Sequence, residues 1–203
     1  MGSKVNLSEG RRAIAHRLTE PVVRLLAKTP LTPSAISWLG FILTLGAAVL
    51  IITGHPFAAG FVVLVAGFFD ILDGALARRI GQATPFGAVL DSTLDRLSEA
   101  VLLVAIVVSF GGTLLLVLLV FFALVGSLLV SYIRARAEAV GLDSPHVGLF
   151  TRAERVVVLA LGLLLSHFAY ALVIALAIIV VFSFFTAGQR LVYVWQQRKT
   201  DSH

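Results

Sequence analysis

A chain of 203 residues with 59% apolar side chains, 13% charged ones and a mean hydropathy of +0.99 has too little charge to solvate a globular core of that size. An ordinary soluble domain carries about 25% charged residues. The absence of cysteine excludes a disulfide framework and a thiolate metal site. The net charge of +5 comes from basic residues strung along the edges of apolar runs and not from one soluble patch, so it does not point to nucleic acid. Six apolar runs, most near the ~20 residues that cross a bilayer, define one integral membrane domain.

Taken in order, no apolar run begins before about Ala35, so no secretory signal is expected. Residues 8–29 read as an amphipathic helix on the membrane surface. Ile14, Leu18, Val22 and Leu25 recur at helical spacing, while Arg11, Arg12, Arg17, Arg24 and Lys28 supply a basic face toward lipid headgroups. Residues 1–33 thus form a cytoplasmic N-terminus with this juxtamembrane helix, and 34–203 form the membrane domain. The first span covers about 34–53 and is closed by Gly54; the second runs from about Phe57 to Ile80 and the third from about Gly87 to Val108. The fourth, about Thr113 to Ala139, ends in two turns with Arg134, Arg136 and Glu138 that project into water. A polar loop follows, Gly141 to Phe150, with His146 as a surface residue. Thr151 and Glu154 then resemble a capping box opening the fifth span, about 152–166. The sixth covers about 169–195. The fold class is all-α: six transmembrane helices plus an N-terminal amphipathic helix.

If the six spans alternate, all 16 Lys and Arg residues fall at or near one side of the membrane. The opposite loops, 54–57, 109–113 and 166–169, hold no Lys, Arg, Asp or Glu. The positive-inside rule then puts both termini in the cytoplasm of a cell whose plasma membrane holds the protein.

The stretch from Phe69 to Arg96 conflicts with its surroundings. Asp70, Asp73, Asp91 and Asp95 lie between long apolar segments, where an ionised group is costly and is usually kept for function. On a helix, about 100° per residue puts Asp70, Asp73, Gly74, Ala77 and Gly81 on one face. Gly87, Asp91 and Asp95 line a face of the next helix. A loop of about six residues makes the two helices antiparallel neighbours, so the four carboxylates can converge in a shallow cytoplasm-facing cavity. Divalent cations relieve the repulsion, and oxygen ligands alone favour Mg2+ or Mn2+ over zinc. Four carboxylates can hold two such ions, an arrangement suited to phosphoryl transfer. Gly74, Ala77 and Gly87 allow either close helix packing or room for a nucleotide; for Gly74 the second is preferred.

The pattern D-x2-D-G-x2-A-R-x8-G-x3-D-x3-D, carried by Asp70, Asp73, Gly74, Ala77, Arg78, Gly87, Asp91 and Asp95, resembles the signature of the CDP-alcohol phosphotransferases. The six-span topology and the juxtamembrane helix resemble that family as well. The resemblance implies a homodimeric membrane enzyme that moves a phosphatidyl group from a CDP-linked lipid such as CDP-diacylglycerol to an alcohol, releasing CMP. It implies that Asp70, Asp73, Asp91 and Asp95 bind the metals and that Asp95 also takes the proton of the incoming hydroxyl. Gly74, Arg78 and Thr84 would meet the CDP moiety, together with Asp70 and the segment holding Thr32, Pro33, Ser34 and Ser37. The residues agree on chemical grounds: a placed carboxylate can accept an alcohol's proton, and metals with Arg78 offset charge on a diphosphate.

The basic residues bear on the acceptor. Arg136, Arg198 and Lys199 read as positive-inside anchors. Arg190 precedes an apolar turn and can point into the bundle, while Arg152 and Arg155 at a helix N-terminus suit an anion. An acceptor already carrying a phosphate needs such a cluster; free inositol, serine or choline does not. The segments SYIRARAE, RAER and QRL resemble the corresponding parts of phosphatidylinositol phosphate synthases and their archaeal counterparts. That resemblance implies inositol 1-phosphate as acceptor, with glycerol 3-phosphate as the alternative, held by Ser131, Arg134, Arg152, Arg155 and Arg190. Glu99, four residues beyond Asp95, is either protonated, hydrogen-bonded to a neighbouring helix or a partner of the site. A cation transporter is the competing class. It would place its acids near the bilayer midplane within repeated halves, and neither feature is present here.

Overall fold

The computed structural model describes residues 19–142, 148 and 150–200, with side chains to residue 197. Arg11, Arg12, Arg17, His146 and the side chains of Arg198 and Lys199 lie outside the described residues. Seven helices are described: α1 over 19–26, α2 Pro33–Ile52, α3 Pro56–Arg79, α4 Pro85–Ser109, α5 Leu114–Ala139, α6 Arg152–Leu164 and α7 Ala171–Thr200.

Local chemistry sets their ends. Pro33, Pro56 and Pro85 each open a helix, where the missing N–H has no intrahelical partner to lose. Before them or at equivalent places, threonine hydroxyls cap free backbone donors: Thr32 accepts from the Ala35 N–H at 3.2 Å, Thr84 from Gly87 at 3.0 Å and Thr113 from Leu116 at 3.4 Å. At α6 the expected capping box forms, and the Thr151 N–H donates to the Glu154 carboxylate at 2.7 Å. Helix α3 stops at Gly81, whose φ of +67° lets the Gln82 N–H return to the Ala77 carbonyl at 3.0 Å.

The chain forms two compact units. The first comprises residues up to Leu43 with Val65–Leu97, and the second comprises Thr44–Leu64 with Ser98 onward. Helices α2, α3 and α4 therefore each contribute a segment to both. In the first unit, Val23 of α1, Ile36 of α2, and Leu72 and Leu76 of α3 make a buried cluster. The Glu20 carboxylate accepts from Arg24 at 2.8 Å and from Arg79 at 3.1 Å, tying α1 to the end of α3. Leu25, on the apolar face of the surface helix, is 68% exposed, while Val23 is buried in the cluster and Val22 and Leu26 pack against it.

In the second unit Ile51, Leu103, Ile106, Leu163 and Leu176 are fully buried. Helix α7 packs along both α5 and α6. Small residues set these approaches: a Cβ on Gly162 would lie 2.6 Å from the Ala175 Cβ, and one on Gly126 would lie 3.0 Å from the Ser183 Cβ.

Among the described residues, four helices, α2, α3, α5 and α7, are long and apolar enough to cross a membrane, so the chain is a membrane-embedded multi-pass protein. The other two expected spans differ in kind. Helix α4 has 25 residues but carries Asp91, Asp95, Arg96 and Glu99 within its length. Helix α6 has 13 residues, about 20 Å at ~1.5 Å per residue, against a hydrocarbon core of about 30 Å. Because α6 and α7 approach this closely at Gly162, Gly162→Ala destabilises the protein by roughly 1–3 kcal/mol. The readout is the thermal unfolding temperature in detergent; an unchanged transition would contradict the contact.

Candidate active site

Helix α3 divides its faces. Leu72 and Leu76 are buried in the core of the first unit, while Asp73, Gly74 and Ala77 line a cavity of about 680 Å³. Helix α4 returns from the Gly81 turn and brings Gly87, Ala88 and Asp91 to the same cavity. Asp70, Asp91 and Asp95, all half-buried, present carboxylate oxygens that lie within 4.8 Å of one another. Oxygens bound to one octahedral ion with ~2.1 Å bonds lie about 3–4 Å apart, so a small closure brings these three onto a shared cation. The donor set is oxygen only and carries excess negative charge, and it fits a hard divalent ion.

Asp73 is not in this trio among the described residues. It is buried, only 4% exposed, and accepts a 2.5 Å hydrogen bond from the Ser37 hydroxyl of α2. Ser37, Thr32, Pro33 and Ser34 all line the cavity, as do Arg78 and Thr84. Of the residues expected at a CDP-lipid, only Asp70 belongs to the carboxylate trio without lining this cavity, which reaches the trio through Asp91.

Two of these side chains have a local task as well. Thr84 caps α4 through the Gly87 N–H, so its hydroxyl is already an acceptor. A Cβ on Gly74 would lie 3.3 Å from an Arg78 guanidinium nitrogen. The absence of a side chain at Gly74 thus lets the Arg78 head fold back across its own helix, one turn earlier, beside Asp73.

The five basic and polar residues expected at an acceptor phosphate have different surroundings. Arg134 is exposed and paired with Glu138 at 3.0 Å within α5, and Ser131 is half-buried. Arg152 is half-buried at the start of α6. Arg190 is buried in α7 and donates to the Val130 carbonyl at 2.6 Å, so it does point into the helix packing. Arg155 is buried and donates through Nε and Nη2 to the Glu99 carboxylate, at 2.9 and 3.3 Å. Glu99 also accepts from the Ser127 hydroxyl of α5. Among the readings open for Glu99, the one with a hydrogen bond to a neighbouring helix therefore matches the structure. Sequence spacing could not name these partners, because they come from three separate helices.

The sequence pattern of the CDP-alcohol phosphatidyltransferases matches residues 30–186, which include every residue of the cavity and the carboxylate trio. The chain belongs to that family of enzymes. Among its relatives, the archaetidylinositol phosphate synthase of Methanothermobacter thermautotrophicus is 37% identical over 93% of this chain and 94% of its own length. The phosphatidylinositol phosphate synthase of Mycobacterium marinum is 40% identical over 91% of this chain and 82% of its own length. The fold matches the crystal structure of Mycobacterium tuberculosis phosphatidylinositol phosphate synthase with CDP-DAG bound, with a TM-score of 0.76 and 36% identity, over 88% of this chain and 94% of that one. A structure of the same enzyme with manganese and citrate matches with a TM-score of 0.76 over 87% of this chain and 88% of that one.

If the trio is the metal centre, Asp91→Asn removes a ligand and lowers Mn2+ affinity by more than the roughly tenfold that loss of a ligand's hydrogen-bonding partner costs. Titration of free Mn2+ by electron paramagnetic resonance measures this, and an affinity equal to that of the unmodified protein would place the ion elsewhere.

Proposed function

We propose that this chain transfers the phosphatidyl group of a CDP-linked lipid to the hydroxyl of inositol 1-phosphate, giving a phosphatidylinositol phosphate and CMP. The observation that carries the reading is the gathering of Asp70, Asp91 and Asp95 beside a cavity lined by Ser34, Ser37, Gly74 and Arg78. The relatives support it: several that match over nearly the whole chain are archaetidylinositol or phosphatidylinositol phosphate synthases, and one such synthase was solved with CDP-DAG.

In this reading the cytidine diphosphate enters the cavity, with Arg78 and the hydroxyls of Thr32, Ser34 and Ser37 available to its polar atoms. Asp70, Asp91 and Asp95 hold one Mg2+ or Mn2+, and Asp73, oriented by Ser37, serves a second together with Asp91. The ions neutralise the diphosphate and the charge that develops on departing CMP. Asp95 accepts the proton of the acceptor hydroxyl as its oxygen bonds to the lipid-bearing phosphorus, and the bond from that phosphorus to the CMP oxygen breaks. Arg152, Arg155 and Arg190, with Ser131 and Arg134, take the phosphate that the acceptor already carries.

We further propose that α4 and α6 complete six membrane passes, that both termini and the site face the cytoplasm across the plasma membrane, and that the enzyme is a homodimer. The absence of native cysteine makes the topology directly readable. A single cysteine at His55 should react with an impermeant maleimide from outside intact cells, and one at Gln82 only after lysis; the reverse pattern would contradict the orientation.

For the reaction, purified protein with labelled CDP-diacylglycerol and Mg2+ should release CMP with inositol 1-phosphate. Release with glycerol 3-phosphate alone would reassign the acceptor, and release with neither would defeat the reading. At saturating Mn2+, Asp95→Asn should lower turnover by roughly 10²–10⁴-fold. Full activity would remove Asp95 from the proton transfer.

A further inference from the structure

The reaction as proposed leaves Glu99 without a task, yet its carboxylate accepts from three donors. Its Oε1 accepts from Arg155 Nε at 2.9 Å, and its Oε2 accepts from Arg155 Nη2 at 3.3 Å and from the Ser127 hydroxyl. These three donors come from two helices other than its own, α6 and α5, so the carboxylate is fixed from both sides. The fork is side-on and leaves the third guanidinium nitrogen out. Arg155 Nη1 is buried and has no hydrogen-bond partner among the described residues, although the whole residue is only 3% exposed. A buried charged donor without an acceptor has given up its hydration with nothing in return, and such an orphan calls for an explanation.

We propose that Glu99 is a positioning residue: braced by Ser127, it holds Arg155 by two nitrogens so that Nη1 is presented to an oxygen of the acceptor's phosphate. The proposal rests on the reading that Arg155 meets that phosphate. The side-on fork fixes the guanidinium plane through Nε, the atom nearest the chain, which an end-on pair would leave free to swing. The ion pair also offsets part of the cost of burying Arg155.

Charge and geometry predict opposite signs here, which makes the idea testable. Glu99 cancels one positive charge near a phosphate site. If long-range attraction alone governed the acceptor, Glu99→Gln would add net positive charge and lower the acceptor's KM. If Glu99 acts by aiming Arg155, the same change weakens the acceptor, because the Gln amide presents N–H to N–H where one carboxylate oxygen stood.

Steady-state CMP release from the full chain in nanodiscs, varying inositol 1-phosphate and CDP-diacylglycerol separately, decides between them. Glu99→Gln should raise the KM for inositol 1-phosphate by roughly tenfold or more and leave that for the CDP-lipid within about twofold. Glu99→Asp, which keeps the charge, should recover part of the loss, and Glu99→Gln combined with Arg155→Gln should be no worse than Arg155→Gln alone. A lower or unchanged acceptor KM in Glu99→Gln, with a raised one in Arg155→Gln, overturns the positioning role and keeps the phosphate reading. An unchanged acceptor KM in Arg155→Gln overturns both. Should Glu99→Gln fail to fold, Ser127→Ala tests the same brace with a smaller expected rise. An equal change in both KM values, or unfolding of both variants, would make the triad a fold element only and overturn the proposal.

Discussion

Three carboxylates whose oxygens lie within 4.8 Å of one another, on helices with long apolar stretches, are held against their mutual repulsion. In water this would cost little; between hydrophobic helices, the low dielectric makes each negative charge felt by the others. A divalent cation among them would turn that repulsion into cohesion, and the neighbouring packing of the first unit sets where these acids lie. The Gly81 turn folds α4 back so that Asp91 and Asp95 face Asp70. Leu72 and Leu76 are buried in the core of the first unit, while Asp73 of the same helix lines the cavity.

The cavity shows how one residue serves both folding and chemistry. Thr32 and Thr84 cap the two helices whose starts frame it, each followed by a proline that begins the helix. The same segments supply the polar atoms available to a nucleotide. Ser37 spans from α2 to Asp73 of α3, so helix packing and carboxylate orientation rest on one hydroxyl. Gly74 leaves space that the Arg78 guanidinium occupies across one helical turn, rather than space left open.

Much of this was legible in the residues. Apolar runs punctuated by Gly54 and the Thr151–Glu154 box placed the helices to within a few residues: the third was expected from Gly87 and begins at Pro85, and the fifth was expected over 152–166 and covers Arg152–Leu164. Spacing alone brought Asp91 and Asp95 onto one face and α3 beside α4. What spacing could not supply was pairing between distant helices. Nothing in the local pattern assigns Glu99 to Arg155 and Ser127, or Ser37 to Asp73, because each needs the relative rotation of helices that are set by packing elsewhere. Nor did it show that Arg134 closes on Glu138 in its own helix, since Glu138 reads equally well as a solvated charge.

The charges of the second unit carry a related lesson. Arg155 and Arg190 lie buried beside polar partners on neighbouring helices, Glu99 and the Val130 carbonyl, where a surface role would have left them exposed. The most direct test of the central claim is anomalous diffraction from crystals grown with Mn2+. The account predicts a manganese peak within coordination distance of Asp70, Asp91 and Asp95 together. A peak elsewhere, with those three side chains turned apart, would contradict it.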